Sequence, residues 1–310
     1  MSELHVVTGA GPVGWTVAQQ LAEQGHSVRV LTRSGSGPEH PLIERRRVDV
    51  SKPDQLDDAF DGAVAVFHCI HGSAYSAKTW RAELPAAEKV VLDAAGRAGA
   101  VVVFPESLYS YGEVDQPMTE DMPRNATVGK LGVRAELLRA REASSTPTVS
   151  VIASDFFGPQ VLTAHAGERM VPTILDGKTM RVIASLDQPH SFTYIPDYAA
   201  AMIAAAHDRS VWNTVLHAPT APAVTQRQLI ETFAAAGGVA APKMSAIPVW
   251  VLRAAGVASS EAKELAETAY MFAKPFVIDS SRSEQKLGLA PTPLADAAKT
   301  TVEWWQARRG

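Results

Sequence analysis

Gly9, Gly11 and Gly14 stand in the spacing G-x-G-x-x-G, directly after a short apolar run over residues 4–7. A helix-period segment follows over residues 13–24, with Val13, Val17 and Leu21 four residues apart. Gly25 and His26 then turn the chain into a second apolar run, residues 28–31. Strand, glycine turn, helix and strand in this order leave few folds open, since the strands of a parallel β-α-β unit are buried beneath its helix. Gly9 permits the tight turn, Gly11 lets backbone approach a pyrophosphate, and Gly14 lets the helix close on the strand. The free N–H groups and positive dipole end of the helix then face the phosphates. Gly9, Gly11, Pro12, Val13 and Gly14 are therefore expected to bind a dinucleotide.

The tip of the second strand bears on which dinucleotide. NAD sites usually carry an acid there, which hydrogen-bonds the ribose 2′-OH. This chain has Thr32, Arg33 and Ser34. The Arg33 guanidinium suits a 2′-phosphate, so the expected cofactor is NADP, with NAD the less favoured.

At 310 residues, 46% hydrophobic and 20% charged, the chain has room for a large α/β core and a smaller lobe. A formal net charge of −4 gives no reason to expect nucleic acid. The one basic cluster, Arg45 to Arg47, reads as a strand edge. Cys69 is the only cysteine, which excludes an internal disulfide and fits a reducing compartment. No secretory-signal pattern opens the chain, and no apolar stretch reaches the ~18 residues of a bilayer span. A cytoplasmic location with no membrane partner is expected. His68, Cys69 and His71 lack the further ligands that zinc would need, so no metal site is expected.

Apolar strands at residues 46–50, 63–69, 101–104 and 149–153 alternate with helical segments at 54–60, 86–96 and 130–143. This alternation predicts an α/β fold with a doubly wound parallel sheet of Rossmann type. Residues 1–165 form the expected nucleotide-binding core, which residues 190–210 rejoin. Residues 166–189 and 211–310 form a smaller, mainly helical C-terminal substrate lobe.

The chain resembles the extended and atypical short-chain dehydrogenase/reductases, the group that contains nucleotide-sugar epimerases and dehydratases. The resemblance rests on Thr8-Gly9, on Ser107-Leu108-Tyr109-Ser110-Tyr111-Gly112 and on Gly129-Lys130. Further support comes from Asp155-Phe156-Phe157-Gly158-Pro159, Tyr194-Ile195-Pro196-Asp197, and Asp279, Leu287-Gly288 and Pro291 near the C-terminus. It covers nearly the whole chain. The glycine loop is one residue tighter than the G-x-x-G-x-x-G of most extended members.

The resemblance implies a site built from a serine, a tyrosine and a lysine four residues after the tyrosine. Ser107 matches the serine and Lys130 the lysine, which would hold the nicotinamide ribose. Four residues before Lys130 stands Ala126, so the family tyrosine is absent. If residues 107–111 are extended, Ser107, Tyr109 and Tyr111 share one side, and Tyr109 becomes the preferred substitute proton donor. The expected catalytic set is Ser107, Tyr109 and Lys130. The resemblance also places Asp49 and Val50 beside the adenine and Phe156, within the 155–159 segment, over the nicotinamide. Cys69, at the tip of the fourth strand, should line the cofactor, and His190, Tyr194 and Asp197 would edge a substrate pocket.

These readings favour an NADP-dependent oxidoreductase that transfers hydride to or from a small carbonyl or alcohol substrate. Two alternatives remain: an epimerase or dehydratase with tightly held NAD, and a catalytically silent NADP-binding regulator. Relatives that pair through two core helices make a homodimer as compatible with the chain as a monomer.

Overall fold

The computed structural model describes residues 3–309. The opening unit forms from the pattern above. β1 (Leu4–Thr8) leads through the glycine turn into α1 (Pro12–Glu23), and β2 (Ser27–Thr32) lies parallel to β1. Pro12 starts α1 where a missing N–H costs nothing. Gly25, at φ +87°, ends it by turning back onto the Ala22 carbonyl.

β3 (Ile43–Arg47), β4 (Ala63–His68), β5 (Val101–Ser107), β6 (Thr148–Ala153) and a last strand, Thr214–His217, complete a seven-stranded sheet. From one edge the order is β3, β2, β1, β4, β5, β6 and Thr214–His217, and every pairing is parallel. The order reverses between β1 and β4, where a doubly wound sheet opens a crevice beyond its strand ends.

α1 and the helix Ile195–His207 cover one face, sharing a core with Val7, Val30, Phe67 and Val151. α2 (Leu56–Phe60) and α3 (Ala77–Ala98) cover the other, against Val6, Leu31, Val66 and Val102. α4 (Gly129–Glu142) packs Val133 and Leu137 against Trp80 and Leu84 of α3. A second core gathers Phe157, Met170, Ile174, Phe233, Val302 and Trp305. It ties the helices Gln226–Ala236 and Leu294–Ala307 to the segment after β6.

Three sequence expectations shift. The third strand spans Ile43–Arg47 and not residues 46–50, because the Asp49 carboxylate accepts the Ser51 N–H at 3.1 Å and bends the chain off the ladder. The strand Thr214–His217 pairs with β6, so a piece of the stretch assigned to the C-terminal lobe lies in the core sheet. Residues 108–111 are not extended; they wind into a 3₁₀ turn, Leu108–Tyr111. No helix among the described residues is long and apolar enough to cross a membrane.

Candidate functional site

The glycine loop closes against the end of β4. A Cβ at Gly9 would stand 2.9 Å from the Cys69 carbonyl oxygen, and Gly9 has φ +87°. A Cβ at Gly14 would collide with the Gly9 carbonyl and approach Cys69 Cβ to 3.1 Å. Gly11 faces open space. It is also the N-cap of α1, with no side chain capping the helix, so the first N–H groups of that helix remain for an outside acceptor. Residues around the crevice therefore fit a dinucleotide pyrophosphate: a narrow backbone cradle, an open approach and free donors. Cys69 is a wall of this cradle, and burial pushes its thiol up, which keeps it an inert neutral group.

Arg33 is exposed just past β2. Hydrogen bonds from Ser51 hold the Asp49 carboxyl below its ordinary range, with smaller pulls from Lys52 and Arg33. Arg33 and Asp49 thus lie past the ends of neighbouring strands, β2 and β3, close enough for their charges to interact. Val50 is buried beneath them in the core.

At the far end, Ser107 terminates β5, and its hydroxyl donates to the Glu106 carboxylate at 3.3 Å. Glu106 is itself held by Arg141 at 2.9 Å. The 3₁₀ turn then separates the two tyrosines that an extended strand would have aligned. At three residues per turn, side chains two apart diverge. Tyr111 points into the protein, its hydroxyl 2.8 Å from His217 Nε2, and burial pushes its pKa up to about 12. Tyr109 points the other way, stacks on Trp80, and meets Tyr75, with the two hydroxyls 2.6 Å apart.

Lys130 is fully buried at the start of α4. Its ammonium donates to the carboxylates of Glu264 and Glu267 on the helix Ser260–Thr268, and to the Glu264 carbonyl at 3.0 Å. Its backbone N–H donates to Glu267 as well, at 3.0 Å, which caps the first turn of α4. The same ammonium stands 4.5 Å from the centre of the Tyr75 ring. Tyr75 therefore links Tyr109 to Lys130. Burial raises the Tyr75 pKa, and it raises that of Tyr109 further, so both phenols keep their protons at neutral pH. Ala126 is buried with Leu131 and Ala135, and Tyr109 and Tyr270 pack against it.

Asp155 follows β6, and its carboxylate lies 2.8 Å from His190 Nε2, while His190 Nδ1 lies 3.0 Å from the Met271 carbonyl. Burial works to raise the Asp155 carboxyl, but the bond and charge of His190 outweigh it and hold it below its ordinary range. Phe156, next in line, is half-buried. Asp197 accepts two bonds from Thr292, both at 2.7 Å, and so fastens the C-terminal segment to the core. Tyr194 packs under Gly158, where a Cβ would come within 3.2 Å of its ring.

Sequence reasoning missed Tyr75, Glu264 and Glu267. Tyr75 sits in an aperiodic loop, and two glutamates three apart on a polar helix read as a solvated face. The clue lies in the fold alone: Lys130 is fully buried, and a buried ammonium needs a carboxylate partner.

Residues 5–214 match the model of the NAD dependent epimerase/dehydratase family. Over an alignment of 318 residues the chain is 21% identical to an uncharacterized protein, y4nG, of Sinorhizobium fredii, covering 98% of this chain and 78% of that protein. Among solved structures it is similar to a UDP-glucose 4-epimerase of Thermotoga maritima, with TM-score 0.78, 18% identity, and 99% and 100% of the two chains covered. It is similar to the Bordetella bronchiseptica enzyme WbmH in complex with NAD+, with TM-score 0.76, 18% identity and 99% of each chain covered. A UDP-glucuronic acid 4-epimerase from Bacillus cereus in complex with NAD gives TM-score 0.76 at 17% identity, with 99% and 100% covered. At these identities the structural likeness speaks for the fold, and the family match, which spans well over half of the sequence, decides the rest: this chain belongs to the NAD-dependent epimerase/dehydratase family.

Proposed function

We propose that the chain binds a nicotinamide dinucleotide across the crevice between β1 and β4 and acts on a nucleotide-linked sugar as an epimerase or dehydratase does, through reversible oxidation of a substrate hydroxyl. This replaces the small carbonyl or alcohol as first choice, because the family and the sugar-nucleotide enzymes among its structural neighbours favour the larger substrate. The observation that carries the proposal is the cradle of Gly9, Gly11 and Gly14, narrow at Cys69 and open at Gly11. When bound, the nicotinamide would supply the hydride acceptor. Ser107 would fix the reacting oxygen, and Tyr109 would take the hydroxyl's proton as its own passes to Tyr75 and on to solvent, the relay running backwards when the carbonyl is reduced. Lys130 would hold the nicotinamide ribose once Glu264 or Glu267 releases it. Arg33 favours a 2′-phosphate, so NADP is the proposed preference within this reading.

The test has two arms. Titration with NADH and NADPH, followed by nicotinamide fluorescence, is expected to show binding of both and tighter binding of NADPH. Arg33→Ala should weaken NADPH about tenfold or more and leave NADH alone, since a charge-assisted hydrogen bond contributes about 1.5–3 kcal/mol. Equal affinities in the unaltered protein would end the NADP preference. Incubation with a panel of UDP- and dTDP-linked sugars, read by proton NMR, is expected to show a configurational change or loss of water. Tight cofactor binding with no turnover of any sugar nucleotide would reject the enzymatic reading.

Ala126 and the doubly clamped Lys130 favour a second reading, in which the protein binds the cofactor without chemistry and reports on it. Ala126→Tyr separates the two. Turnover appearing only in this variant identifies a family member that has lost its reaction.

A further inference from the structure

Far from the cofactor crevice, at the N-terminal end of the parallel strands, three separate parts of the chain bring imidazoles together. His5 lies in β1, His26 stands just before β2, and His207 ends the helix Ile195–His207. Glu3 joins them from the residue before β1. One ligand atom from each of the four residues lies within 4.8 Å of all the others. His26 and His207 stack at 5.3 Å and 24°, and His5 stands edge-on to both. His5 meets His26 edge-on at 4.8 Å and 81°, and His207 edge-on at 5.0 Å and 90°.

Two observations turn this cluster from packing into a site. His5 is fully buried, and neither of its ring nitrogens has a hydrogen-bond partner among the described residues. A buried imidazole with both nitrogens unanswered is an exception that calls for a ligand. His207 is also set up to coordinate. Its Nδ1 lies 3.0 Å from the Ile203 carbonyl, which can only accept, so that nitrogen carries the hydrogen. Nε2 is left with its lone pair, 3.5 Å from the Glu3 carboxylate. A backbone carbonyl that fixes the tautomer in this way is the usual support of a metal-bound histidine.

We propose that Glu3, His5, His26 and His207 form a binding site for one divalent transition-metal ion, with zinc the best-fitting ion. Imidazole nitrogens and one carboxylate suit its tetrahedral sphere. Bonds of about 2.0–2.1 Å require ligand atoms about 3.3 Å apart, so the widest pair has to close by about 1.5 Å. The side chains of Glu3 and His207, 51% and 36% exposed, have the freedom to do so. The ion would pin the first strand to the α1–β2 turn and to the end of the helix Ile195–His207. None of the four residues belongs to the candidate catalytic set, so the site stands or falls apart from the proposed reaction.

The test uses the tag-free full chain, stripped with chelator and titrated with cobalt(II) and then zinc(II). The expected result is one ion per chain, a tetrahedral cobalt absorption band that zinc abolishes, and a rise in melting temperature with zinc. His26→Gln and His207→Gln should each weaken zinc binding at least tenfold and remove the cobalt band, with NADH binding unchanged. Should either variant fail to fold, Glu3→Gln, on an exposed side chain, serves in its place and is expected to weaken zinc and alter the band. Zinc binding by the unaltered chain no tighter than by the His26→Gln/His207→Gln variant, or no tetrahedral band, would overturn the proposal and leave the three rings as an aromatic packing cluster.

Discussion

The hydroxyl of Tyr109 lies 2.6 Å from that of Tyr75, whose ring in turn lies 4.5 Å beneath the Lys130 ammonium. The three groups form a chain from the end of β5 to the start of α4, beside the alanine that stands in place of the family tyrosine. Since burial keeps both phenols protonated, the pair can take a substrate proton only by passing one on, from Tyr109 to Tyr75 and out to solvent.

Removing the hydroxyls should therefore divide their roles. Tyr109→Phe is expected to lower kcat by about 10²–10⁴, the usual worth of a positioned proton donor. Tyr75→Phe should cost less, because water can replace the Tyr75 hydroxyl as the next group in the relay, and should displace the basic limb of the kcat profile. The measurement is kcat against pH for both variants on whichever sugar nucleotide is turned over. An unchanged kcat in Tyr109→Phe would move the donor role elsewhere.

Lys130 is held by two carboxylates from the C-terminal lobe, and a cofactor ribose would have to compete with them. Glu264→Gln leaves the lysine one charged partner, Glu267, at 2.5 Å. NADH affinity is expected to rise severalfold in this variant and to fall at least tenfold in Lys130→Met. Removing both carboxylates should cost about 3–5 kcal/mol of stability, since it strands a buried charge. Fluorescence titration and thermal melting measure the two effects. Weaker NADH binding in Glu264→Gln would mean that the glutamates help to form the bound state.

Much of the first half of the fold is legible in the sequence, because there the period of the pattern and the geometry of the element coincide. The glycine loop, α1 and the buried strands β4 and β6 follow from local spacing alone. At the candidate site the sequence singles out Lys130, but not the Glu264 and Glu267 carboxylates that hold it. The 3₁₀ turn at residues 108–111 shows why the rest is not. Its tyrosines alternate as a strand would have them, but burial of Tyr111 against His217 and of Tyr109 against Trp80 requires opposite directions. The strand Thr214–His217 is similarly silent: four residues gain their meaning from pairing with β6, some 65 positions earlier in the register Thr214 to Val149. Tyr75, Glu264 and Glu267 matter only through contacts distant in sequence, which periodicity does not record.

Beneath Ser107 lies a buried ion network. Arg141 grips Glu88 through two bonds of 2.6 and 2.8 Å and reaches Glu106 at 2.9 Å and Ser150 at 3.1 Å. Its guanidinium also covers the Phe104 ring at 4.0 Å. Arg141→Met would leave the buried Glu88 without its cation and Glu106 with Arg134 alone, 3.5 Å away, and the expected loss is about 3–5 kcal/mol. Urea denaturation should show a lower midpoint with an unchanged slope. Because Glu106 also accepts the Ser107 N–H at 2.8 Å, kcat should fall in the same variant. A midpoint shift under about 1 kcal/mol would show that the network is not load-sharing in this way.

His68 sets a pH dependence with a definite sign. Its Nδ1 shares a hydrogen bond with the Thr8 hydroxyl at 2.8 Å, while Nε2 is buried without a partner. A second proton on the ring would be an unsolvated charge, so burial first, with Arg141 adding to it against the pull of Glu88, lowers the pKa from 6.5 to about 4. Below pH 6.5 the unfolded chain takes up a proton that the folded chain refuses. Stability is therefore expected to fall as the pH drops from 6.5 towards 4, by about 1.4 kcal/mol per pH unit from this residue, and to level off where both states are protonated. Above pH 6.5 the residue contributes no slope. Burial lowers His5 and His71 as well, so the readout is the difference between the unaltered protein and His68→Gln, followed by urea denaturation in chelator between pH 7 and 4.5. Parallel stability curves over that window would show that His68 already takes up its proton in the folded state.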